Sequence, residues 1–395
     1  MIELLSPGGD LRKIKTAINY GADAVYTGLK RFSLRSHAGN LDITDLEEAV
    51  KFVHKNHKKI YIALNAFLFD DEFAEFIKTV KLLDSYHPDA FIVSDLGAVE
   101  VIKEISDIPI HISTQANITN SYAAGLLEKL GIKRVVAARE MNIENIKSFT
   151  KHSPVELEVF VHGAMCMAYS GRCFMSATMA GRSANKGNCT QSCRWNYTVI
   201  EEKRPDFPIS VEQNSRGSYI FNSRDLCALP ILDKLIKAGA TSFKIEGRMK
   251  SIHYVAVSTA VYRNAIDTIL SGNDFYSKIA FYLDELNKIS HRPYSLGFFE
   301  NSPAQYTSSS KYERGADFIA VVRKKEGDKI FLDIKGQIKP GKYQFFLKGL
   351  KTVPISIEKL YTTEGEERTV GNPNDFLYII SKLDVGSLDI LRKII

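Results

Sequence analysis

Four of the chain's five cysteines fall within 28 residues, in the order Cys166-x6-Cys173-x15-Cys189-x3-Cys193; the fifth, Cys227, follows 34 residues later. A clustered set of four thiolates is the shell that a soft, multiply charged metal centre requires. Spacing alone leaves four chemistries open. An iron–sulfur cluster accepts four thiolates at irregular intervals. Structural zinc prefers two close Cys-x(2–4)-Cys pairs, and only Cys189 and Cys193 supply one. A cysteine nucleophile needs a nearby base, and His162 stands four residues before Cys166. Disulfides belong to oxidising compartments. Cys227 is either a buried core thiol or a replacement ligand for Cys189 or Cys193.

The elements that must position these residues follow from the pattern of apolar runs. Strands are expected at Ile2–Leu5, Ala24–Thr27, Ile60–Leu64, Ala90–Val93, Ile110–Ser113, Val135–Ala138, Leu157–Val161 and Ser242–Ile245. Helical patterns follow them, as at Asp10–Tyr20, Leu46–Asn56, Asp71–Tyr86, Ala98–Ile105 and Ser121–Leu130. Gly21, Gly131 and Gly239 each close a helix just before a strand. Eight strands alternating with helices point to an α/β protein of the (β/α)8, TIM-like barrel type. An open doubly wound sheet is the runner-up, weakened because no Gly-x-Gly-x-x-Gly follows the first strand.

The alternation breaks after the seventh strand. Residues 164–223 form a long insertion that holds the cysteine cluster. Long loops in compact domains usually serve a function, and a metal centre would supply the order that a missing apolar core cannot. A helix at about Leu226–Ala238 is expected to lead back to the eighth strand. The barrel is thus expected over 1–270 and a helical linking segment over 271–314. A small C-terminal β-barrel is expected over 315–395, from short runs such as Phe318–Val322 and Phe376–Ile380 separated by turns.

Ligands of such barrels sit at the C-terminal ends of the strands. That ring reads Ser6–Gly9, Tyr26, Gly28, Asn65, Asp95, Gln115, Asn117, Arg139, Glu140, His162, Glu246 and Arg248. The cysteine insertion leaves from the same rim. His162, Glu140 and Glu246 are the candidate catalytic groups. Asn65, Gln115, Arg139 and Arg248, with Arg35 nearby in sequence to the second strand, are the candidate substrate-binding groups. Arginine at a barrel mouth suits a carboxylate, because its planar fork reaches both oxygens. The bland alternatives are local ion pairs for the arginines and glutamates, and a backbone hydrogen bond for His162. Trp195, the only tryptophan, is expected to pack beside the cysteines, with base stacking as the alternative.

Composition bounds the rest. The 395 residues are 45% hydrophobic and 25% charged, ordinary for a globular protein. No apolar run is long enough to span a membrane, and the N-terminus does not read as a signal peptide, so the cytoplasm is the default. From Lys311 to Lys351 there are 11 Lys and Arg against 5 Asp and Glu, a surplus equal to the net charge of the whole chain, +6. A local surplus of this kind fits a polyanion such as nucleic acid; the plain alternative is a solvated face. No His-Glu-x-x-His motif and no Gly-x-Ser-x-Gly elbow is present.

The run Glu158–Ser176, which reads EVFVHGAMCMAYSGRCFMS, resembles the signature of the collagenase-like peptidases, peptidase family U32. So do Phe32–Arg35 with Ala38–Asn40, Gly187–Trp195 and Lys244–Ser251. The resemblance covers about residues 1–300, and the tail looks like the family's C-terminal β domain. Members include proteins described as collagenases and proteins that hydroxylate the wobble uridine of tRNA at C5 with prephenate. Relatives act in ubiquinone and ribosomal RNA hydroxylation. The resemblance is closest to the tRNA branch. It implies a [4Fe–4S] cluster on Cys166, Cys173, Cys189 and Cys193, with Cys227 as the alternative fourth ligand and zinc as the less favoured metal. It implies prephenate, a dicarboxylate that suits Arg35, Arg139 or Arg248, and a tRNA partner that suits the basic segment 311–351. A peptidase and a non-catalytic iron–sulfur assembly or redox-sensing factor are the competing functions. A second copy of the chain is a further candidate partner, and no membrane partner is expected.

Overall fold

The computed structural model describes residues 2–33, 41–165, 173, 175–182, 184, 189–194, 213–214, 217–218, 224–300 and 312–395. Two compact units emerge, neither contiguous in sequence: Met1–Ile14, Asp23–Lys250 and His291–Tyr312 form the first, and Lys15–Ala22, Ser251–Ser290 and Glu313–Ile395 the second. The sequence-based boundaries at 270 and 315 are linear; the units interleave, with α1 divided between them.

Strands and helices alternate as the apolar periodicity requires: β1 (Glu3–Pro7), α1 (Leu11–Asn19), β2 (Ala24–Gly28), α2 (Ile43–Lys55), β3 (Lys59–Leu64), α3 (Phe73–Asp84), β4 (Ala90–Val93), α4 (Leu96–Ile105), β5 (Ile110–Ile112), α5 (Ser121–Lys129), β6 (Arg134–Val136), α6 (Ile143–His152) and β7 (Glu156–Ala164). The insertion carries α7 (Met175–Ala180) and a short hairpin of β8 (Gln213–Asn214) and β9 (Gly217–Ser218). Next come β10 (Asp225–Cys227), α8 (Leu232–Lys237), β11 (Ser242–Ile245), α9 (Ile252–Leu270), α10 (Ile279–Asn287) and β12 (Tyr294–Ser295). Side-chain caps start several helices: Asp95 accepts from Ala98 N, Asn120 from Ala123 N, and Asn142 from Asn145 N.

In the first unit β11, β1, β2, β3, β4, β5, β6 and β7 follow one another in parallel, and β7 pairs back with β11. The barrel is therefore closed, the first of the two architectures that eight strands alternating with helices allow. One expected element differs. The stretch Leu226–Ala238 does not form one helix. Its start is β10, antiparallel to β7, with Cys227 opposite His162, and only Leu232–Lys237 is α-helical. The physical reason lies in two places. β7 runs beyond its pairing with β6, which stops at Glu158, so its far end needs another partner. Pro230 also lacks an N–H, so it sits in the first turn of a short 3-10 helix, Leu229–Ile231, rather than inside an α-helix.

β1, β7 and β11 alternate inward- and outward-facing side chains. Outward residues such as Val159 and Phe243 are buried, as a parallel sheet covered on both faces requires. Inside, apolar residues Leu5, Ala24, Tyr26, Ala63 and Ile92 share one cluster. Toward the N-terminal end lies a layer of charge. Glu158, fully buried, accepts from Lys244 Nζ at 2.8 Å, Ser242 Oγ at 3.1 Å and Arg134 Nη1 at 3.3 Å. Arg134 also pairs with Glu156 at 2.7 Å and with Glu3, and Tyr61 Oη donates to Glu3 at 2.7 Å. Side chains from strands that are not sheet neighbours can meet in this way only inside a closed barrel. Burial pushes the Glu158 carboxyl up, but Lys244 and Arg134 outweigh it and hold it below the usual glutamate range.

The second unit holds eight antiparallel strands: β13 (Ala316–Glu326), β14 (Lys329–Ile334), β15 (Gly341–Leu347), β16 (Lys351–Ile357), β17 (Leu360–Tyr361), β18 (Glu367–Arg368), β19 (Phe376–Ile380) and β20 (Ile390–Ile394), in the order 16-15-20-13-14-19-17-18. One face of these strands surrounds a single core that includes Val322, Leu332, Phe345, Ile357, Leu360, Ile379 and Leu391. Pro354 lies within β16; it is tolerated because β16 is an edge strand. No helix among the described residues is long and apolar enough to cross a membrane.

Removing one partner from a buried ionic cluster leaves uncompensated charge. Arg134→Met is expected to cost about 3–5 kcal/mol of stability, measured by urea unfolding. The contribution of Glu158 is present above the ordinary glutamate range and is lost as pH falls through its depressed folded value. The acid limb of stability against pH will therefore be shallower in Glu158→Gln than in the wild type.

Candidate active site at the barrel mouth

Above the charged layer the barrel axis meets two aromatic rings, each faced by cations. Lys244 Nζ lies 4.5 Å from the centre of Tyr26 and 5.5 Å from that of Phe160. The Arg139 guanidinium stands 4.3 Å over Phe160, and that of Arg248 stands 6.0 Å from Tyr26. Tyr26 is fixed by its hydroxyl, which donates to the Ile245 carbonyl at 3.0 Å. Burial pushes the Lys244 ammonium below its usual range against the opposing effect of Glu158. Three cations around two ring faces suit a ligand that carries both carboxylates and an unsaturated ring.

Arg248 is almost fully buried (4% exposed). Its Nη1 donates to Ser33 Oγ at 2.9 Å. Two glycines make room for it. A methyl group on Gly28 would collide with Arg248 Nη1 and Ser33 Oγ, and one on Gly9 would collide with the Arg248 carbonyl. Asn65 and Gln115 also come together: Ser113 Oγ accepts from Asn65 Nδ2 at 3.4 Å and from the Gln115 backbone N–H at 3.4 Å. Asp95 is occupied as the α4 cap and also accepts from Leu68 N, so its rim position is structural. Asn117 takes a left-handed conformation (φ 57°) at the end of a short 3-10 turn.

His162 is buried (1% exposed). Burial, with His291 and Lys250 nearby, pushes its imidazole down to about 3, so it is neutral at ordinary pH. Its ring lies 5.4 Å from Tyr294, which stacks on His291 at 4.1 Å. The Glu246 backbone N–H donates to the His162 carbonyl at 2.9 Å, tying the ends of β7 and β11 together. Glu140 and Glu246 are half-buried at the rim.

Sequence reasoning missed Glu158 as the anchor of Lys244, and it missed Phe160. Their signal was an acidic and an aromatic residue two apart on the inward face of an otherwise apolar strand. Arg35, Cys166 and Trp195 lie outside the described residues. Cys173, Cys189 and Cys193 are half-buried and Cys227 is buried; none of these four is in a disulfide. Ser176 Oγ donates to Cys189 Sγ at 3.8 Å and accepts from Thr190 N at 3.1 Å, a polar environment that suits an electron-rich sulfur. The donor type therefore fits a thiolate-bound metal. Among the described residues no three His, Cys, Asp or Glu side chains are grouped to hold an ion.

The family model for Peptidase family U32 matches residues 9–309. The chain belongs to peptidase family U32. Within it, an uncharacterised protease of Methanocaldococcus jannaschii is 39% identical, over 80% of this chain and 79% of its own length. A tRNA hydroxylation protein P of Helicobacter pylori is 39% identical, over 79% and 75%. A tRNA hydroxylation protein P of Escherichia coli is 32% identical, over 94% and 92%.

Thiol burial in this U32 chain has a direct readout. In metal-free, reduced protein, iodoacetamide is expected to modify Cys173, Cys189 and Cys193 about ten-fold faster than Cys227, followed by peptide mass spectrometry. Equal rates would contradict the burial of Cys227.

Proposed function

We propose that this U32 member is an RNA-modifying enzyme that hydroxylates the wobble uridine of tRNA at C5, with a small dicarboxylate, prephenate, as co-substrate and a [4Fe–4S] cluster as cofactor. The observation that carries the reading is the pair of rings Tyr26 and Phe160 with Lys244, Arg139 and Arg248 on their faces. The relatives named for tRNA hydroxylation support it. Cys166, Cys173 and Cys189 would hold the cluster, with Cys193 or Cys227 as the fourth ligand. Such a cluster supplies electron transfer, which no standard side chain provides.

The chain's own residues do the rest. The Arg248 and Arg139 forks bind carboxylates, and Arg35 joins them in the same role. Tyr26 and Phe160 line the place of the co-substrate ring beside Lys244, and Asn65 and Gln115 hydrogen-bond its polar edge. Glu158 keeps Lys244 in place as a fixed positive charge rather than a mobile one. Glu140 and Glu246 are the proton carriers at the rim. His162, neutral, serves as a hydrogen-bonding group where β7 pairs with β10. The basic segment 311–351 binds the tRNA.

A peptidase is the second reading, favoured by the family's name and by the protease relative. Its simplest scheme pairs Cys166 with His162. An imidazole that burial pushes down to about 3 is a weak base for activating a thiol, so the RNA reading is preferred.

Loss of 5-hydroxyuridine from the tRNA of a deletion strain, restored by the wild-type gene but not by Cys173→Ala, is the expected result by nucleoside mass spectrometry. Full restoration by Cys173→Ala would overturn the cluster-dependent reaction. Retention of the nucleoside in the deletion strain would overturn the RNA reading. Protein purified without oxygen is expected to carry about four irons per chain. Iodoacetamide then reads the fourth ligand: Cys193 stays reactive in the iron-loaded protein if Cys227 holds that position.

Gly28→Ala displaces the Arg248 guanidinium without opening the core. It is expected to weaken prephenate binding by roughly ten-fold, as loss of a bidentate contact does, with little change in Tm. Calorimetric titration checks this.

A further inference from the structure

In the second unit the face of the sheet opposite the core is used in two ways. Over β13, β20 and β15 it is packed: Tyr20 stacks on Phe346 at 5.6 Å, and His253 of α9 stacks on Phe318 at 5.7 Å. Over β14, β19 and β17 it carries a row of aromatic rings. Strand alternation places them there: Ile330, Leu332, Leu377 and Ile379 point into the core, so Phe331, Phe376 and Tyr378 point away from it. Register aligns the row, with Phe331 opposite Tyr378 and Tyr378 opposite Tyr361. Ring centres are 5.8 Å apart for Phe376 and Phe331, 5.4 Å for Phe331 and Tyr378, and 5.1 Å for Tyr378 and Tyr361.

Each of the first three rings is covered by a cation. Arg323 lies 4.3 Å over Phe376, Lys324 4.7 Å over Phe331, and Lys329 4.9 Å over Tyr378. The covering side chains are themselves exposed, while Phe331 and Tyr378 are buried beneath them and between their neighbouring rings. Carboxylates are present too: Asp333 pairs with Arg323 at 2.7 Å, Glu326 with Lys324 at 2.8 Å, and Glu367 with Lys359 at 2.8 Å.

We propose that this row, Phe376, Phe331, Tyr378 and Tyr361 with Arg323, Lys324 and Lys329, is a platform for single-stranded RNA. The proposal rests on the RNA-modifying reading and locates the polymer contact on one sheet face. Chemistry selects the occupant. Flat bases stack on ring faces whatever their sequence, and phosphates pair with the cations that line the row. A base on a ring is a stronger contact than an exposed cation over it, so each long side chain can swing from its ring to a phosphate as a base arrives. An apolar protein partner would instead have to bury three charges.

The test uses full-length protein and fluorescence anisotropy with a short fluorescein-labelled oligouridylate and an unmodified tRNA transcript, over a range of salt. Lys324→Gln with Lys329→Gln is expected to weaken binding about ten-fold at low salt and to lower the salt dependence by roughly one to two ions. Phe376→Ala and Tyr361→Ala are each expected to weaken it roughly ten-fold with the salt dependence unchanged. Lys329→Glu alters only an exposed side chain and decides the matter alone if the aromatic variants fold poorly. Binding like the wild type in folded variants, or no binding of oligouridylate by the wild type, overturns the platform. Loss of 5-hydroxyuridine in the deletion strain alongside unaffected variants would sink the platform and leave the RNA-modifying reading intact.

Discussion

A carboxylate with no access to water must be neutralised where it stands. Glu158 is such a group, and it is met by Lys244 from β11 and Arg134 from β6. β7, which carries it, is the strand whose pairing with β11 closes the barrel. The charge pairs therefore span both seams of that strand, and Glu3 and Tyr61 extend the set across β1 and β3. Shifting β7 by one residue would turn Glu158 outward among the helices and strand two cations inside. Register at the closing seam is thus fixed by charge as well as by backbone hydrogen bonds.

The mouth inherits its geometry from that layer. Lys244 is held from below by Glu158 and so stands under the Tyr26 ring. Tyr26 is held by the Ile245 carbonyl, one residue beyond Lys244. Arg248, three residues further on, reaches Ser33 because Gly28 has no side chain in its way. A chain of short-range contacts thus connects the ionic layer to the groups at the rim, and the arginines are aimed by packing rather than left to sample solvent.

Much of this was legible in one dimension. The eight strands and the helices between them follow from apolar periodicity, and strand ends alone nominated Asn65, Gln115, Arg139 and Arg248, which the barrel places around its mouth. What stayed hidden depends on pairings far apart in sequence. Glu158 and Lys244 are 86 residues apart, and neither residue announces the other. β10 was concealed because a three-residue strand joined to an apolar run reads as helix; only the unpaired end of β7 explains it. Pro354 hid β16, since a proline counts against a strand until the strand is known to be an edge. The interleaved units were equally invisible, because Lys15–Ala22 carries no break in composition that would detach it from its neighbours.

The ionic layer also makes the two ends of the barrel chemically unlike. Tightly paired charges and the Tyr61 side chain lie at its lower end, and a guest there would have to part them. A guest at the upper end would meet Tyr26 and Phe160 with the Lys244 ammonium beside both rings. One end thus offers fixed, mutually satisfied charge and the other offers aromatic faces beside cations, so the two ends would repel and attract different chemistries.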